Sequence, residues 1–159
     1  MTEPLPARAQ QVQAALTALG LACQVRVLPA STRTASDAAQ AVGSTVGQIV
    51  KTLLFRSTHT HTPILVVASG ANRVNEQRLA ELVGEPITKA DAAFVRLHTG
   101  FAIGGVAPLA HPAPLTTFID ADLLAYTTIW AAGGTPNTVF ALTPAELQHI
   151  TGGTLATLT

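Results

Sequence analysis

Apolar positions along the chain follow two alternating periods, and the switches between them outline the elements. Val12, Ala15, Leu16 and Leu19 recur at i, i+3, i+4 and i+7, the stripe of an amphipathic helix over residues 7–19 closed by Gly20. A short strand is predicted at 24–28, ending at Pro29, then a short helix over 36–42 with Ser36 as its cap and Gly43 at its end. Residues 49–55 and 64–68 are apolar runs joined by the polar stretch 56–63, which reads as a hairpin. Helices are expected at 75–83, with Leu79, Leu82 and Val83 inward, and at 91–97. Strands are expected at 115–119, 126–130 and 138–142. Thr143-Pro144-Ala145-Glu146 combines a capping box with proline at the first helical position, so a helix starts there and stops at Gly152-Gly153. Helices and strands interleave too irregularly for a doubly wound sheet. The pattern fits a mixed α/β single domain over 1–159, core about 7–153, with a largely antiparallel curved sheet flanked by helices.

One residue breaks the pattern. Lys51 lies in Ile49-Val50-Lys51-Thr52-Leu53-Leu54-Phe55, and on a strand it shares a face with Ile49, Leu53 and Phe55. An ammonium group on an apolar face is costly unless it is paired or opens into a wet pocket, so Lys51 is a candidate site residue. Two plainer readings stand beside that one: the lysine snorkels to solvent from an edge strand, or it guards that edge against pairing.

Composition narrows the class. At 159 residues, 48% hydrophobic and 11% charged, the chain has enough material for one proper core. No apolar run approaches a membrane span, and the N-terminus lacks a signal-peptide pattern, so a cytoplasmic protein without a membrane partner is expected. Cys23, the only cysteine, permits no intrachain disulfide and reads as a small buried hydrophobe. The net charge of zero argues against a broad nucleic-acid platform. Its distribution is uneven: residues 1–96 carry all nine basic and six acidic side chains, whereas 97–159 carry only Asp120, Asp122 and Glu146. A polyanion would therefore approach the first two-thirds of the chain, through a modest footprint.

Familiar catalytic patterns are weak. No serine is framed as Gly-x-Ser-x-Gly, and Ser69-Gly70 reads as a turn. His59-x-His61 lies in a polar loop with no carboxylate nearby in sequence, so no metal is expected. His98 and His111 flank a glycine-rich segment, Gly100-Phe-Ala-Ile-Gly104-Gly105-Val-Ala-Pro108, and read as structural or exposed. Paired glycines let backbone N–H groups approach an anion closely, although a plain tight loop is the other reading.

Lysine, glycine pair and proline taken together carry a resemblance. The chain resembles the YbaK family of aminoacyl-tRNA deacylases, related to the editing insertion domain of bacterial prolyl-tRNA synthetases. The resemblance rests on Ile49-Val50-Lys51-Thr52-Leu53, Ser69-Gly70-Ala71-Asn72-Arg73-Val74, Gly100 through Pro108, and Ala132-Gly133 with the closing helix. It runs from about Ala7 to Gly153. Two departures stand out: the family's Gly-x-x-Pro-x-Gly loop ends here in Ala110, and some relatives have Ser-Ala-Gly in place of Ala131-Ala132-Gly133. Both are expected to touch the pocket.

The resemblance implies hydrolysis of the ester between a wrongly attached amino acid and the terminal adenosine of tRNA, with tRNA(Pro) carrying a small non-cognate residue as the expected substrate. Such an ester is already activated, so placing water and stabilising an oxyanion matter more than a nucleophile. By the same analogy Lys51 holds the terminal nucleotide through phosphate, and the backbone at Gly104 and Gly105 holds the carbonyl or ribose. Pro108 shapes the loop, while Asn72, Ala131, Gly133 and Asn137 contribute to substrate binding. No cofactor and no metal are implied; the partners are the acceptor end of aminoacyl-tRNA and, beyond it, prolyl-tRNA synthetase. Two alternatives remain: a catalytically silent tRNA- or synthetase-binding module, and a hydrolase of another small aminoacyl ester.

Overall fold

The computed structural model describes residues 4–28 and 34–159, so the expected strand end at Pro29 lies outside the described residues. Helix α1 (Ala7–Ala18) turns Ala9, Val12 and Leu16 fully inward. Leu19, expected in the same stripe, is 44% exposed because it lies past the last helical residue and no longer follows the helical rotation. Strand β1 (Arg26–Val27) pairs antiparallel with β7 (Thr138–Leu142), and β7 pairs antiparallel with β6 (Ile129–Ala132). These form a three-stranded sheet in the order β1-β7-β6.

Helix α2 (Ala35–Val42) begins earlier than Ser36 suggests, since the Thr34 hydroxyl accepts the Asp37 N–H at 3.0 Å and caps it. A 3₁₀ turn, Val46–Gln48, leads into β2 (Val50–Ser57), which forms the expected hairpin with β3 (Pro63–Ser69). Two short strands escaped the sequence pattern. These are β4 (Ile87–Lys89), antiparallel to the far end of β2, and β8 (Thr154–Ala156), parallel to β5 (Thr116–Asp120). With β3 and β5 parallel, the second sheet is five-stranded and mixed, in the order β4-β2-β3-β5-β8. The expected mixed α/β single domain is present, with its strands divided between two sheets.

Alternation along β2 divides the interior. Val50 and Leu54 face the main core with Leu65, Val67 and Ile119, beneath α1 and helix α5 (Pro144–Thr151). Leu53 and Phe55 face a second cluster with Ile64, Val66, Phe118 and Leu79 of helix α3 (Glu76–Val83). Leu82, expected inward, is 45% exposed; the i+4 pair Leu79 and Val83 makes the contact instead. Helix α4 (Ala92–Thr99) is capped by the Asp91 carboxylate, which accepts the Phe94 N–H at 2.8 Å. The strand expected from residue 126 begins at Ile129, because a 3₁₀ turn (Ala121–Ala125) capped by Asp120 occupies the chain up to Tyr126. Among the described residues no helix is long and apolar enough to cross a membrane.

Candidate functional site

The two sheets part along one edge of β2, and the gap between them is a cavity. Among the described residues β4 pairs with Phe55–Ser57, and Trp130 of β6 forms an isolated bridge with Ile49, the residue before β2. The interval 50–53 therefore has no strand ladder on that side. A cavity of about 510 Å³ opens there, lined by residues 49–55, by Ala35 and Ala38 of α2, by Ile103 and Gly104, and by Trp130–Ala132 with Pro136 and Thr138. The volume suits a small ligand. Lys51 lines it, within the interval of β2 that has no ladder on that side.

The Lys51 ammonium is held from behind. It donates to the carbonyl of Asn72, in the turn that follows β3. That turn is fixed by Asp120, a carboxylate only 1% exposed. Its oxygens accept the Ser69 N–H at 3.0 Å, the Asn72 Nδ2 at 2.9 Å and the Asp122 N–H at 3.0 Å. Asn72 Nδ2 also donates to Asp122 at 2.7 Å. Asn72 is thus a link between the lysine and a buried carboxylate, and it is absent from the cavity wall. Burial lowers the Lys51 pKa and nearby Arg73 lowers it further, while Asp120 opposes both. The ammonium is half-buried, oriented, and incompletely neutralised.

The glycine pair divides its duties. Gly104, at φ +91°, lines the cavity beside Ile103, which is 58% exposed. Gly105 does not line it; its N–H is engaged by the Ala102 carbonyl at 2.9 Å in the tight turn. A Cβ at Gly105 would lie 2.9 Å from the backbone of Thr135, so this glycine lets the 100–109 loop pack against the 133–137 loop. Both loops contribute to the cavity lining, Ile103, Gly104 and Val106 from the first and Pro136 from the second.

Other candidates separate spatially. Ala131 is 1% exposed and lines the cavity. Gly133 and Asn137 stand behind the wall. The Gly133 N–H donates to the Thr138 carbonyl at 2.8 Å, and the Asn137 carbonyl accepts the Leu28 N–H at 2.8 Å. Pro108 lines a second, more open cavity of about 470 Å³, together with Ala110, His111 and Leu19. Ala110 is thus a departure from the family loop away from the Lys51 cavity, contrary to the expectation that it touches that pocket. It adopts φ +67°, the left-handed conformation that glycine fills without strain. His111 Nε2 lies 2.8 Å from the Ala107 carbonyl, and burial lowers its pKa.

Three features of the site carried no signal that sequence reasoning used. Trp130 lines the cavity with the Arg26 guanidinium 4.6 Å from its ring centroid. Lys89 supplies a second cation to the wall, and Thr52 supplies a hydroxyl. Among the described residues, Lys51 and Lys89 are the ionisable side chains of the lining, which holds no carboxylate, imidazole or thiol.

Comparison with known proteins places this geometry. The profile of the aminoacyl-tRNA editing domain matches residues 29–150, more than three-quarters of the chain and all of the cavity lining. The chain belongs to the aminoacyl-tRNA editing domain family. Among solved structures, a candidate trans-editing enzyme for prolyl-tRNA synthetase is 48% identical, with a TM-score of 0.93 over 98% of this chain and 99% of that one. The hypothetical protein APE2540 is 32% identical, with a TM-score of 0.86 over 93% of this chain and 98% of that one. The uncharacterized protein YwhH of Bacillus subtilis (strain 168) is 29% identical over 119 residues, 75% of each chain. The editing-domain fold is therefore shared over nearly the whole length.

Proposed function

We propose that this editing-domain protein is a trans-editing hydrolase that deacylates mischarged tRNA, with tRNA(Pro) bearing a small non-cognate amino acid as its substrate. The observation that carries the proposal is the oriented Lys51 ammonium at the wall of a largely apolar cavity whose described residues include no acid–base pair. A cation beside an apolar chamber suits a ligand with a phosphate at one end and a small side chain at the other. The terminal aminoacylated nucleotide of tRNA has that form.

In the reaction a water oxygen attacks the ester carbonyl carbon. The carbonyl electrons move onto oxygen and return as the bond to the ribose oxygen breaks. One water proton ends on the ribose oxygen, and the products are the free amino acid and the tRNA diol. The described lining residues offer no general base, so that proton travels through water and the vicinal ribose hydroxyl of the substrate itself. Lys51 holds phosphate and adds positive potential, while Gly104 in its exposed turn brings backbone close to the ester. The apolar walls select by size.

Similarity to the candidate trans-editing enzyme for prolyl-tRNA synthetase supports tRNA(Pro) as the acceptor. The test is single-turnover deacylation of tRNA(Pro) charged with Ala, Cys, Ser, Thr or Pro. Rapid loss of one non-cognate ester above its buffer control is expected. Decay of every ester at the buffer rate overturns the proposal.

A further inference from the structure

Three hydroxyl side chains line the Lys51 cavity, and two are committed. Thr34 Oγ1 caps α2 by accepting the Asp37 N–H at 3.0 Å. Thr138 Oγ1 accepts the Thr135 N–H at 3.1 Å and pairs with the Thr135 hydroxyl at 2.8 Å. Thr52 Oγ1 is different: it is buried and has no hydrogen-bond partner, the only such side-chain atom among the described residues. Buried hydroxyls are almost always satisfied, because leaving one unpaired forfeits its hydration with no return.

The surroundings make the choice of threonine costly. By strand alternation Thr52 lies on the face of Val50 and Leu54, directly opposite Val67 on β3. Val95, Val106 and Ala131 complete an apolar chamber on this side of the cavity. Valine would fill the same space as threonine and strand no polar atom. Packing alone therefore does not account for Thr52.

We infer that Thr52 is the specificity-determining hydroxyl of the aminoacyl pocket, and that it selects a small amino acid with a side-chain hydroxyl, of the seryl class, over its alanyl counterpart. The inference rests on the editing reading above. The group met by Thr52 is neutral, because the ionisable side chains among the described lining residues are Lys51 and Lys89, which repel the substrate's α-ammonium. That ammonium stays toward solvent, and the side chain enters the chamber. A site that hydrogen-bonds a substrate hydroxyl discriminates against the analogue lacking it more strongly than a methylene-sized gap does.

The experiment compares seryl- and alanyl-tRNA(Pro) with wild type, Thr52→Val and Thr52→Ser. The expected result is loss of about tenfold in the seryl rate with Thr52→Val, an alanyl rate unchanged within about twofold, and recovery with Thr52→Ser. Equal loss on both esters, or no loss on either, overturns the inference. A second arm measures Kd for the non-hydrolysable 3′-amide analogues of seryl- and alanyl-adenosine. A seryl preference abolished by Thr52→Val supports the inference even where no ester turns over, a case that removes only the hydrolytic reading. Equal binding, or no binding, of the two amides overturns it. Turnover of both esters with no preference overturns it while leaving hydrolysis intact.

Discussion

Replacing Gly105 with alanine tests whether the cavity walls are locked together as described. The added Cβ would sit 2.9 Å from both the carbonyl carbon and the Cα of Thr135, and 3.1 Å from the nitrogen of Pro136. Favourable carbon–carbon contact begins at about 3.5 Å, so the loops must separate by roughly 0.6 Å. The opposing atoms are backbone and cannot swing aside as a flexible side chain would. Overpacking of this kind costs about 1–3 kcal/mol. For a domain of this size that corresponds to a fall in Tm of roughly 2–12 °C. The separation also displaces Gly104 and Ile103 relative to Pro136 and Thr138, all four of which line the cavity. Because placement rather than a nucleophile drives the proposed reaction, single-turnover deacylation should fall by at least about tenfold. Calorimetry gives the first quantity, and quenched-flow deacylation well below Tm gives the second. Wild-type Tm and rate in Gly105→Ala would refute the account of these two loops.

Ala110→Gly should behave oppositely: relief of the φ +67° conformation outweighs the added chain entropy and raises stability by about 0.5–1 kcal/mol. Thermal unfolding checks the gain, and deacylation should be unaffected because Ala110 lines the second cavity. Alkaline pH should affect Lys51 earlier than an ordinary lysine, since burial lowers its folded pKa from 10.5. The penalty for the buried ammonium is present in full below the folded pKa and disappears as pH rises through it toward 10.5, so stability increases over that window. Lys51→Met should abolish the increase in chemical denaturation measured across it. Over the same window the ammonium is lost, so the Lys51-dependent part of deacylation, taken as the ratio to the buffer rate, should decline.

Lys51 was legible in the sequence because one charge within a seven-residue apolar run has few explanations. The hairpin, the capping box at Thr143 and the glycine-terminated helices were legible too, since each is written in local periodicity and turn chemistry. The two-sheet arrangement was not. β4 and β8 are three residues each, too short to establish an alternation, and they exist because β2 and β5 offer them a partner. The cavity was invisible for a related reason: it arises where β2 lacks a ladder neighbour, a property of pairing rather than of composition. Asn72 carried a family signal, yet its role depends on Asp120, which lies 48 positions away in the chain. Thr52 is the instructive omission. It stands beside Lys51 in the quoted motif, but a threonine in a strand is ordinary until its hydroxyl proves to have no partner.

The central claim is that the Lys51 cavity is the place where the ester of mischarged tRNA is held and broken. Its most direct test is single-turnover deacylation of the preferred ester by wild type and by Lys51→Ala, at low and at raised salt, with folding verified by circular dichroism. The account predicts a loss of at least about 100-fold in the variant, together with weakened salt dependence as a phosphate contact disappears. Deacylation by Lys51→Ala at the wild-type rate, with the same response to salt, would contradict it.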